Sequence, residues 1–314
     1  NTVYAGYSNS LGGGSGLLGI YKTIDGGNTW SVMATTPNFF GGQGWYDNVI
    51  GVDPANPNTV YVGGVSIYRS TDGGSTWATI TNGIHVDFHA IAFRGGALYA
   101  GSDGGAFKST TAGNSWTSLN NGLVTMQFYK MGSDFNNANK AMGGTQDNGS
   151  NEYAGSQTWA ARLGGDGGEV VYDMSNSNIM YGEYQNGYHL KSTDGGFSWS
   201  AINSGLPGGP WVTPVRMDPV NHNILYTIGN NDLYKSTNGG ASWTLLLNAV
   251  DNFSTDIQVA QSDNQTLYVS GSNTIYRSSN GGATFSKVFT GLSAANITAM
   301  AVHPSLPQEV YVAN

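Results

Sequence analysis

The sequence predicts an all-β protein, a seven-bladed β-propeller built from four-stranded antiparallel blades. Three observations lead to this prediction: glycine makes up 47 of the 314 residues, the glycines recur inside one repeated motif, and short strand-like runs separate the copies. Glycine at about twice its usual share indicates either low complexity or very many turns. The regular spacing of the motif favours turns, because a fixed period is the signature of a repeat architecture.

Composition excludes several classes of protein. With 12 basic and 20 acidic side chains and a net charge of -8, a nucleic-acid partner is not expected, since phosphate binding needs clustered Lys and Arg. An aromatic share of 12% is enough for a large core and argues against disorder. No apolar run approaches the ~18 residues of a membrane span. The absence of cysteine excludes disulfides and thiolate metal sites, and abundant Gly, Ser, Thr and Asn with little Lys favours an extracellular or cell-surface location.

The repeated motif occurs six times, with its acidic or amide position at intervals of 47, 39, 83, 44 and 42 residues. The interval of 83 residues equals two periods, so the repeat between Thr111 and Asp194 has lost the motif. A period of about 40 residues with four strand-like runs is the size of one propeller blade. The copies read YKTIDGGNTW at 21–30, YRSTDGGSTW at 68–77, FKSTTAGNSW at 107–116, LKSTDGGFSW at 190–199, YKSTNGGASW at 234–243 and YRSSNGGATF at 276–285.

The motif is typical of the turn between the third and fourth strands of a blade. A short Asp or Asn side chain can accept hydrogen bonds from nearby backbone N–H groups, and the following glycines supply the positive φ of a tight turn. The closing Trp or Phe can pack between blades. We therefore predict a structural role for Asp25, Asp72, Asp194, Asn238 and Asn280.

The motif resembles the Asp box, or BNR repeat, of the sialidase, sortilin and xyloglucanase superfamily of β-propellers. The loops HVDFHA at 85–90, GGTQDNG at 143–149 and GGDGG at 164–168 are similar to those of exported bacterial BNR-repeat proteins described as glycosyl hydrolase-like. This resemblance implies a secreted propeller whose boxes lie opposite the active face, in a superfamily that includes non-enzymes. The segment SDGGAFK at 102–108 resembles the one that carries a catalytic Asp in xyloglucanases, which form their cleft between two propellers.

The chain is expected to be one propeller domain over 1–314 and a segment of a longer secreted protein. It starts at a second strand (2–6), so the first blade lacks its innermost strand. Residues 297–304 could supply that strand and close the ring, but residues 309–314 then form a further second strand.

Candidate functional residues collect on the face opposite the motif turns, because loops in a propeller alternate between its two ends. Loops between blades and between second and third strands belong to this face, which borders the channel. Glycines around Asp103, Asp147 and Asp166 are expected to keep those carboxylates accessible to a ligand. The ligand-binding candidates are Trp45, Tyr46, Asp47, Gln146, Asp147, Asn148 and Trp211, and the catalytic candidates are Asp103 and Asp166.

His85, Asp87 and His89 are a candidate metal site. Their spacing puts them on one face of an extended strand, where two imidazoles and a carboxylate could bind a divalent cation. A hydrogen-bond network in the channel wall is the alternative interpretation of the same spacing. The Asp-Gly loops could also bind Ca²⁺, so Ca²⁺ or another divalent cation is the only cofactor expected.

Two functions stay open. The first is an extracellular module that binds a polysaccharide or a protein through aromatic and acidic side chains. The second is a glycoside hydrolase with two carboxylates, about 5 to 5.5 Å apart for retention or about 6.5 to 9.5 Å for inversion. A metal-assisted lyase or hydrolase is a weaker third hypothesis. Sialidase activity is disfavoured, because that family needs three converging arginines and only Arg162 and Arg216 of the five here could reach the face.

Overall fold

The computed structural model describes residues 2–123, 125–248, 256–290 and 297–313. Regular structure in these ranges is β-strand apart from one 3-10 turn at Gln185–Gly187. The chain divides into two compact units, Asn1–Thr125 and Met126–Asn314, called here the N-terminal and C-terminal units. The expected single domain over 1–314 stays a prediction.

The N-terminal unit contains three antiparallel sheets, in each of which consecutive strands are neighbours. The first sheet consists of β1 (Val3–Ser8), β2 (Leu17–Thr23) and β3 (Ser31–Ala34). The second consists of β4 (Val49–Val52), β5 (Val60–Gly63), β6 (Ile67–Ser70) and β7 (Ala78–Thr79). The third consists of β8 (Phe88–Arg94), β9 (Ala97–Ser102), β10 (Gly105–Ser109) and β11 (Thr117–Ser118).

The C-terminal unit continues the same pattern through the remaining strands. The fourth sheet consists of β12 (Phe128–Ser133), β13 (Ala141–Thr145), β14 (Ser150–Tyr153) and β15 (Ala160–Leu163), and the fifth of β16 (Gly167–Tyr172), β17 (Met180–Tyr184), β18 (Tyr188–Ser192) and β19 (Ser200–Ala201). The sixth consists of β20 (Val215–Met217), β21 (Leu225–Gly229), β22 (Asp232–Ser236) and β23 (Thr244–Leu247), and the seventh of β24 (Ile257–Val259), β25 (Leu267–Ser270), β26 (Thr274–Ser278) and β27 (Ser286–Thr290). The eighth holds β28 (Ala299–Val302) and β29 (Val310–Ala313).

The predicted all-β class and four-stranded repeat are confirmed, but the predicted count of seven blades is not. The described residues form eight sheets: six with four strands, the first with three and the last with two. β1 is followed by β2 and then a motif turn, as expected of a chain that starts at a second strand. The strands expected within 297–304 and 309–314 are β28 and β29, which pair with each other; residue 314 lies outside the described residues.

The cores lie between successive sheets within each unit. Leu225 of the sixth sheet and Tyr181 of the fifth share one cluster, and Tyr226 and Leu267 share the next. First strands of successive sheets contact one another along each unit, as in the blades of a propeller. Trp243 is 5% exposed, and its indole N–H donates to the backbone oxygen of Ile202 in the loop after the preceding sheet at 2.7 Å.

The motif turns are closed by their own side chains. Asp194 Oδ1 accepts from the Ser198 N–H at 2.9 Å and from the Ser192 hydroxyl at 2.8 Å, and Ser192 Oγ accepts from the Gly196 N–H at 2.9 Å. The hydrogen bond that the Ser198 hydroxyl donates to Asp194 Oδ2, together with those from the Ser198 N–H and the Ser192 hydroxyl, lowers the pKa of Asp194 to about 2. Asn238 makes the equivalent hydrogen bonds with its side-chain amide, which explains why both Asp and Asn occur at this position.

Candidate functional site

The sequence-predicted site residues other than His89, which lies at the start of β8, occupy the loops that were expected to carry them. In each unit these loops join sheets or connect second and third strands, so they open at the end of the sheets opposite the motif turns. Asp103 belongs to the N-terminal unit and Asp166 to the C-terminal unit, so the two predicted catalytic residues lie in different units. Each unit therefore has its own candidate surface.

The loop before β4 turns sharply and separates its aromatic side chains from its carboxylate. The N–H groups of Tyr46 and Asp47 both donate to the backbone oxygen of Gln43, at 2.7 and 2.8 Å, and the Trp45 N–H donates to Ser15 Oγ at 2.8 Å. Trp45 and Tyr46 are 54% and 46% exposed, whereas Asp47 is fully buried. Trp45 and Tyr46 are in ring contact, 5.4 Å between centroids, and form the aromatic pair of this unit.

Behind the aromatic pair, Gln43 connects two carboxyl groups. Its Nε2 donates to Asp47 Oδ2 at 2.9 Å and to Asp87 Oδ1 at 2.8 Å. Burial, and then the negative charge of Asp87, raise the pKa of Asp47 to about 7. Burial likewise raises the pKa of Asp87, and the hydrogen bond with Asp47 opposes this rise. Burial and their mutual charge therefore favour the protonated form of one of the two carboxyls.

His89 reaches a third carboxylate because of a β-bulge. Phe88 pairs with Ser102 and Ala90 with Gly101, so His89 is the extra residue at the start of β8. Its Nε2 lies 2.8 Å from Asp103 Oδ1 and 3.5 Å from Asp47 Oδ1, and its ring contacts Tyr46 edge to face at 4.6 Å between centroids. We name the N-terminal polar cluster by its members Gln43, Asp47, Asp87, His89 and Asp103.

His85, Asp87 and His89 do not share one face of an extended strand, so the arrangement predicted for a metal site there is wrong. Asp87 lies outside β8 with a positive φ of 63°, and His89 is bulged, so the three residues do not alternate along one strand face. His85 Nδ1 lies 3.0 Å from the backbone oxygen of Val86. Within the described ranges, no group of three or more His, Asp and Glu side chains is arranged to hold a metal ion.

Glycines near the candidate carboxylates serve mainly for close packing. A Cβ at Gly104 would lie 2.1 Å from His85 Cβ, and one at Gly149 would lie 1.9 Å from the backbone oxygen of Leu163. A Cβ at Gly168 would meet Glu183 Oε2 at 2.1 Å, whereas a Cβ at Gly164 would meet nothing within 4 Å. The expectation that these glycines clear space for a ligand is therefore wrong for all but Gly164 among these four.

In the C-terminal unit, consecutive loops hydrogen-bond to one another. The Asp147 N–H donates to Asp166 Oδ1 at 2.9 Å, and the Asp166 N–H donates to Gln185 Oε1 at 3.3 Å. Gln146 and Asn148 shape the loop itself, since the Asn148 side-chain amide donates to the Gln146 backbone oxygen at 3.1 Å. Asp147 has a positive φ of 59°, a conformation that Asp tolerates.

Trp211 lies in the loop before β20 and is 48% exposed. Its indole N–H donates to the Tyr129 hydroxyl at 3.2 Å, and its backbone oxygen accepts from the Asn186 N–H at 3.0 Å. Burial raises the pKa of Tyr129, and the charges of Asp166 and Asp147 raise it further. Tyr129, Asp147, Asp166 and Trp211 are named here the C-terminal surface.

Sequence reasoning missed Gln43, Tyr129 and Glu183. Gln43 stands inside a loop that was recognised, but its role depends on two carboxylates that are distant or inward-facing. Tyr129 could have been found by aligning Phe128-Tyr129 with Phe88-His89 at the starts of neighbouring first strands. Glu183 lies within β17 and could not be recognised from the sequence, because a single acidic residue in a strand belongs to no recognisable motif.

The arginines considered for sialidase chemistry are occupied by acidic partners. Arg216 contacts Glu169 Oε1 at 3.2 Å and Asp256 Oδ1 at 2.8 Å. Arg162 Nε donates to Glu152 Oε2 at 2.6 Å. Both guanidinium groups therefore link strands and loops inside the C-terminal unit.

Comparisons with known proteins give partial likenesses. No model of a known protein family matches the chain. A xyloglucanase from a Paenibacillus species is 33% identical over 105 residues, which are 33% of this chain and 10% of that protein. The chain thus spans a tenth of the length of this curated relative.

Three solved structures match most of the chain at low identity. The GH74 enzyme of Niastella koreensis is 18% identical, covering 97% of this chain and 59% of that one with a TM-score of 0.34. The GH74 xyloglucanase from Xanthomonas campestris is 14% identical over 96% and 61%, with a TM-score of 0.35. YCF48 from Cyanidioschyzon merolae is 15% identical over 84% and 91%, with a TM-score of 0.43. At these sequence identities, coverages and TM-scores, none of the similarities assigns the chain to a family.

In the described ranges, no helix is long and apolar enough to cross a membrane.

Proposed function

We propose that this chain is an extracellular carbohydrate-binding module that holds a neutral polysaccharide against Trp45 and Tyr46. The observation that carries the proposal is the position of this exposed aromatic pair directly over the N-terminal polar cluster, through the Tyr46–His89 ring contact. Its repeats would form an Asp-box propeller in a secreted bacterial protein, as the resemblance of the turn motif implies. A protein ligand on the same surface is the alternative partner.

The chemistry of the surface matches a sugar. Flat aromatic rings offer an apolar face to the C–H groups of a pyranose ring, and their polar edges tolerate water. His89 lies beside Tyr46 and Asp103 lies beside His89, and both supply groups that can hydrogen-bond to hydroxyls. The hydrogen bonds from Gln43 fix the carboxyls behind them, so the surface is organised before a ligand arrives.

Binding is favoured over catalysis by the position of the perturbed acid. Asp47 is fully buried, so its proton cannot reach a bound substrate directly. The Asp103 side chain is 12% exposed and already contacts His89. A general acid must lie within hydrogen-bond reach of the group it protonates.

The test is affinity electrophoresis in gels that contain xyloglucan or hydroxyethyl cellulose, two soluble neutral polysaccharides. The wild type should be retarded, and Trp45→Ala combined with Tyr46→Ala should raise the dissociation constant at least ~10-fold, about 1.4 kcal/mol. Phe197→Ala is the matched control, because Phe197 is 76% exposed in a motif turn. Equal loss of retardation in this control would contradict the proposal.

Glycoside hydrolysis is a second candidate, favoured by one observation: burial raises the pKa of Asp47 to about 7, and its Oδ1 lies 3.5 Å from Nε2 of His89, which contacts Asp103 and could relay the proton that buried Asp47 cannot deliver directly. A carboxyl with a raised pKa is the general-acid arrangement of glycosidases. The partial match to a xyloglucanase makes xyloglucan the first substrate to try. Release of reducing ends by the wild type, abolished by Asp47→Asn or Asp103→Asn, would favour this candidate. A metal-dependent variant of it would require zinc or another divalent cation in elemental analysis.

A further inference from the structure

We propose that the C-terminal unit carries a second, independent saccharide-binding site, formed by Tyr129 and Trp211 beside the loops of Asp147 and Asp166. The proposal takes its ligand class from the proposed function, while its location rests on separate residues. It makes the chain bivalent for one polysaccharide class.

The first argument is a repeated backbone feature. Phe128 pairs with Thr145 and Lys130 with Gly144, so Tyr129 is the bulged residue at the start of β12. His89 has the same position at the start of β8. Bulges redirect a side chain and are common beside binding sites. Each bulge is also accompanied by an Asp in the loop between the second and third strands of its sheet, Asp103 in one and Asp147 in the other.

The second argument is the fixed orientation of an exposed indole. Trp211 is 48% exposed, yet its ring N–H is held by the Tyr129 hydroxyl at 3.2 Å and its backbone oxygen by the Asn186 N–H at 3.0 Å. A large apolar ring exposed to water and held in one orientation loses little conformational entropy when a ligand packs on it.

A second pair of aromatic rings lies next to the Asp166 loop. A Cβ at Gly165 would lie 3.5 Å from Tyr184 Cδ1, and Tyr184 stacks on Tyr188 with 5.9 Å between centroids and an interplanar angle of 21°. Tyr188 is 48% exposed. The Asp166 loop therefore has a ring pair beside it from the facing ends of β17 and β18, an arrangement that suits a further sugar residue of a bound chain.

A buried acid holds these loops together. Glu183 accepts from the N–H groups of Glu169, Gly187 and Thr213, at distances from 2.8 to 3.1 Å. Gly187 ends the turn that carries Gln185, and Thr213 follows Trp211 by two residues. The site is thus pre-organised by a residue that does not itself reach the surface, since Glu183 is fully buried.

Charge selects the kind of saccharide. The carboxylates of Asp147 and Asp166 accept hydrogen bonds from hydroxyls but repel an anionic chain, and the whole protein carries a net charge of -8. The expected ligand is therefore a neutral polysaccharide and not a uronic-acid polymer.

The experiment compares variants of the two surfaces in the full chain. Cellohexaose is titrated calorimetrically to count sites, and xyloglucan and polygalacturonate are used in affinity gels as neutral and anionic polymers. The C-terminal variant is Trp211→Ala with Tyr188→Ala, the N-terminal variant is Trp45→Ala with Tyr46→Ala, and Phe197→Ala is the control. Tyr129→Phe keeps the aromatic ring and removes the hydroxyl that holds Trp211, so it should weaken the second site several-fold with no loss of folding.

We expect two cellohexaose sites in the wild type, one in each double variant and none in the combined variant, with no retardation by polygalacturonate. Unchanged binding in the C-terminal variant, with complete loss in the N-terminal one, would overturn the second site and leave the proposed function standing. The reverse result would overturn the first site and support the second. Absence of binding by the wild type to both neutral ligands would overturn both proposals.

Discussion

The N–H of Thr213 donates a bifurcated hydrogen bond to both carboxylate oxygens of Glu183, at 2.8 Å to Oε1 and 3.0 Å to Oε2. The same carboxylate accepts from Glu169 and Gly187. Burial raises the pKa of Glu183 to about 8, while the amide donors oppose that shift by favouring the charged form. One strand residue thus ties the loop of Trp211 to the turn at Gln185–Gly187.

Replacing Glu183 with Ala should lower the free energy of unfolding by about 3 kcal/mol, because it leaves buried N–H groups without an acceptor. Glu183→Gln should cost less, about 1 to 2 kcal/mol, since one amide oxygen remains to accept while the NH2 group faces one of the backbone donors. Urea denaturation measures both, with Val220→Ala, an exposed side chain in the same unit, as the control. Equal stability of the Ala and Gln variants would contradict the role of the hydrogen bonds.

The raised pKa of Asp47 predicts that the protein becomes less stable as pH rises towards neutrality. The pKa of Asp47 is about 7 in the folded protein against an ordinary value of 3.8, so the folded state binds a proton that the unfolded chain has already lost between these values. The stabilisation is complete below pH 3.8 and lost as pH rises through 7. Melting temperatures from pH 4 to 8 should decline in the wild type and decline less in Asp47→Asn.

The matched control for that pH series is Asp25→Asn. Hydrogen bonds from Thr29 lower the pKa of Asp25, so its contribution is present above pH 3.8 and lost at more acidic pH. Across pH 4 to 8 this variant should therefore shift the melting temperature by a constant amount and leave the slope of the decline as in the wild type. A decline unchanged in Asp47→Asn would show that another group titrates there.

Ser192 is expected to matter more for folding than its size suggests. It is 1% exposed, and its hydroxyl oxygen accepts from the buried Gly196 N–H at 2.9 Å. Ser192→Ala should cost about 1 to 3 kcal/mol by leaving that donor unpaired. Ser192→Thr should be nearly neutral, because Thr23 makes the same bond to Gly27 at 3.0 Å in the first motif turn. Denaturant midpoints of the two variants test this, and similar losses would refute it.

The repeat made the fold readable from sequence, since each turn motif specifies its own hydrogen bonds. Asp194 and Asn238 illustrate this, because every partner lies within four residues. For the site, the sequence predicted which loops carry the residues but not which side chains contact one another. Asp103 and His89 were recognised, but their contact depends on a bulge that shifts register by one residue, and no local pattern in the sequence marks it.

Glycine shows the same limit in its clearest form, because Gly164 and Gly168 are placed symmetrically in the sequence and lie in opposite environments. Both stand in the segment GGDGG, on either side of Asp166. A Cβ at Gly168 would lie 2.1 Å from Glu183 Oε2, whereas nothing lies within 4 Å of one at Gly164. Whether a glycine borders open space or permits a close contact depends on a neighbouring strand, which the local sequence does not reveal.

Gly168→Ala should therefore destabilise the protein by about 1 to 3 kcal/mol through overpacking, and Gly164→Ala should change stability by less than about 0.5 kcal/mol. Because the added methyl group of Gly164→Ala stands in open space beside Asp166, it should weaken saccharide binding at the C-terminal surface while leaving folding intact. Thermal denaturation and cellohexaose titration measure the two effects separately. Equal destabilisation by both substitutions would contradict the packing of Gly168 against Glu183, and full binding by Gly164→Ala would place the ligand away from this loop.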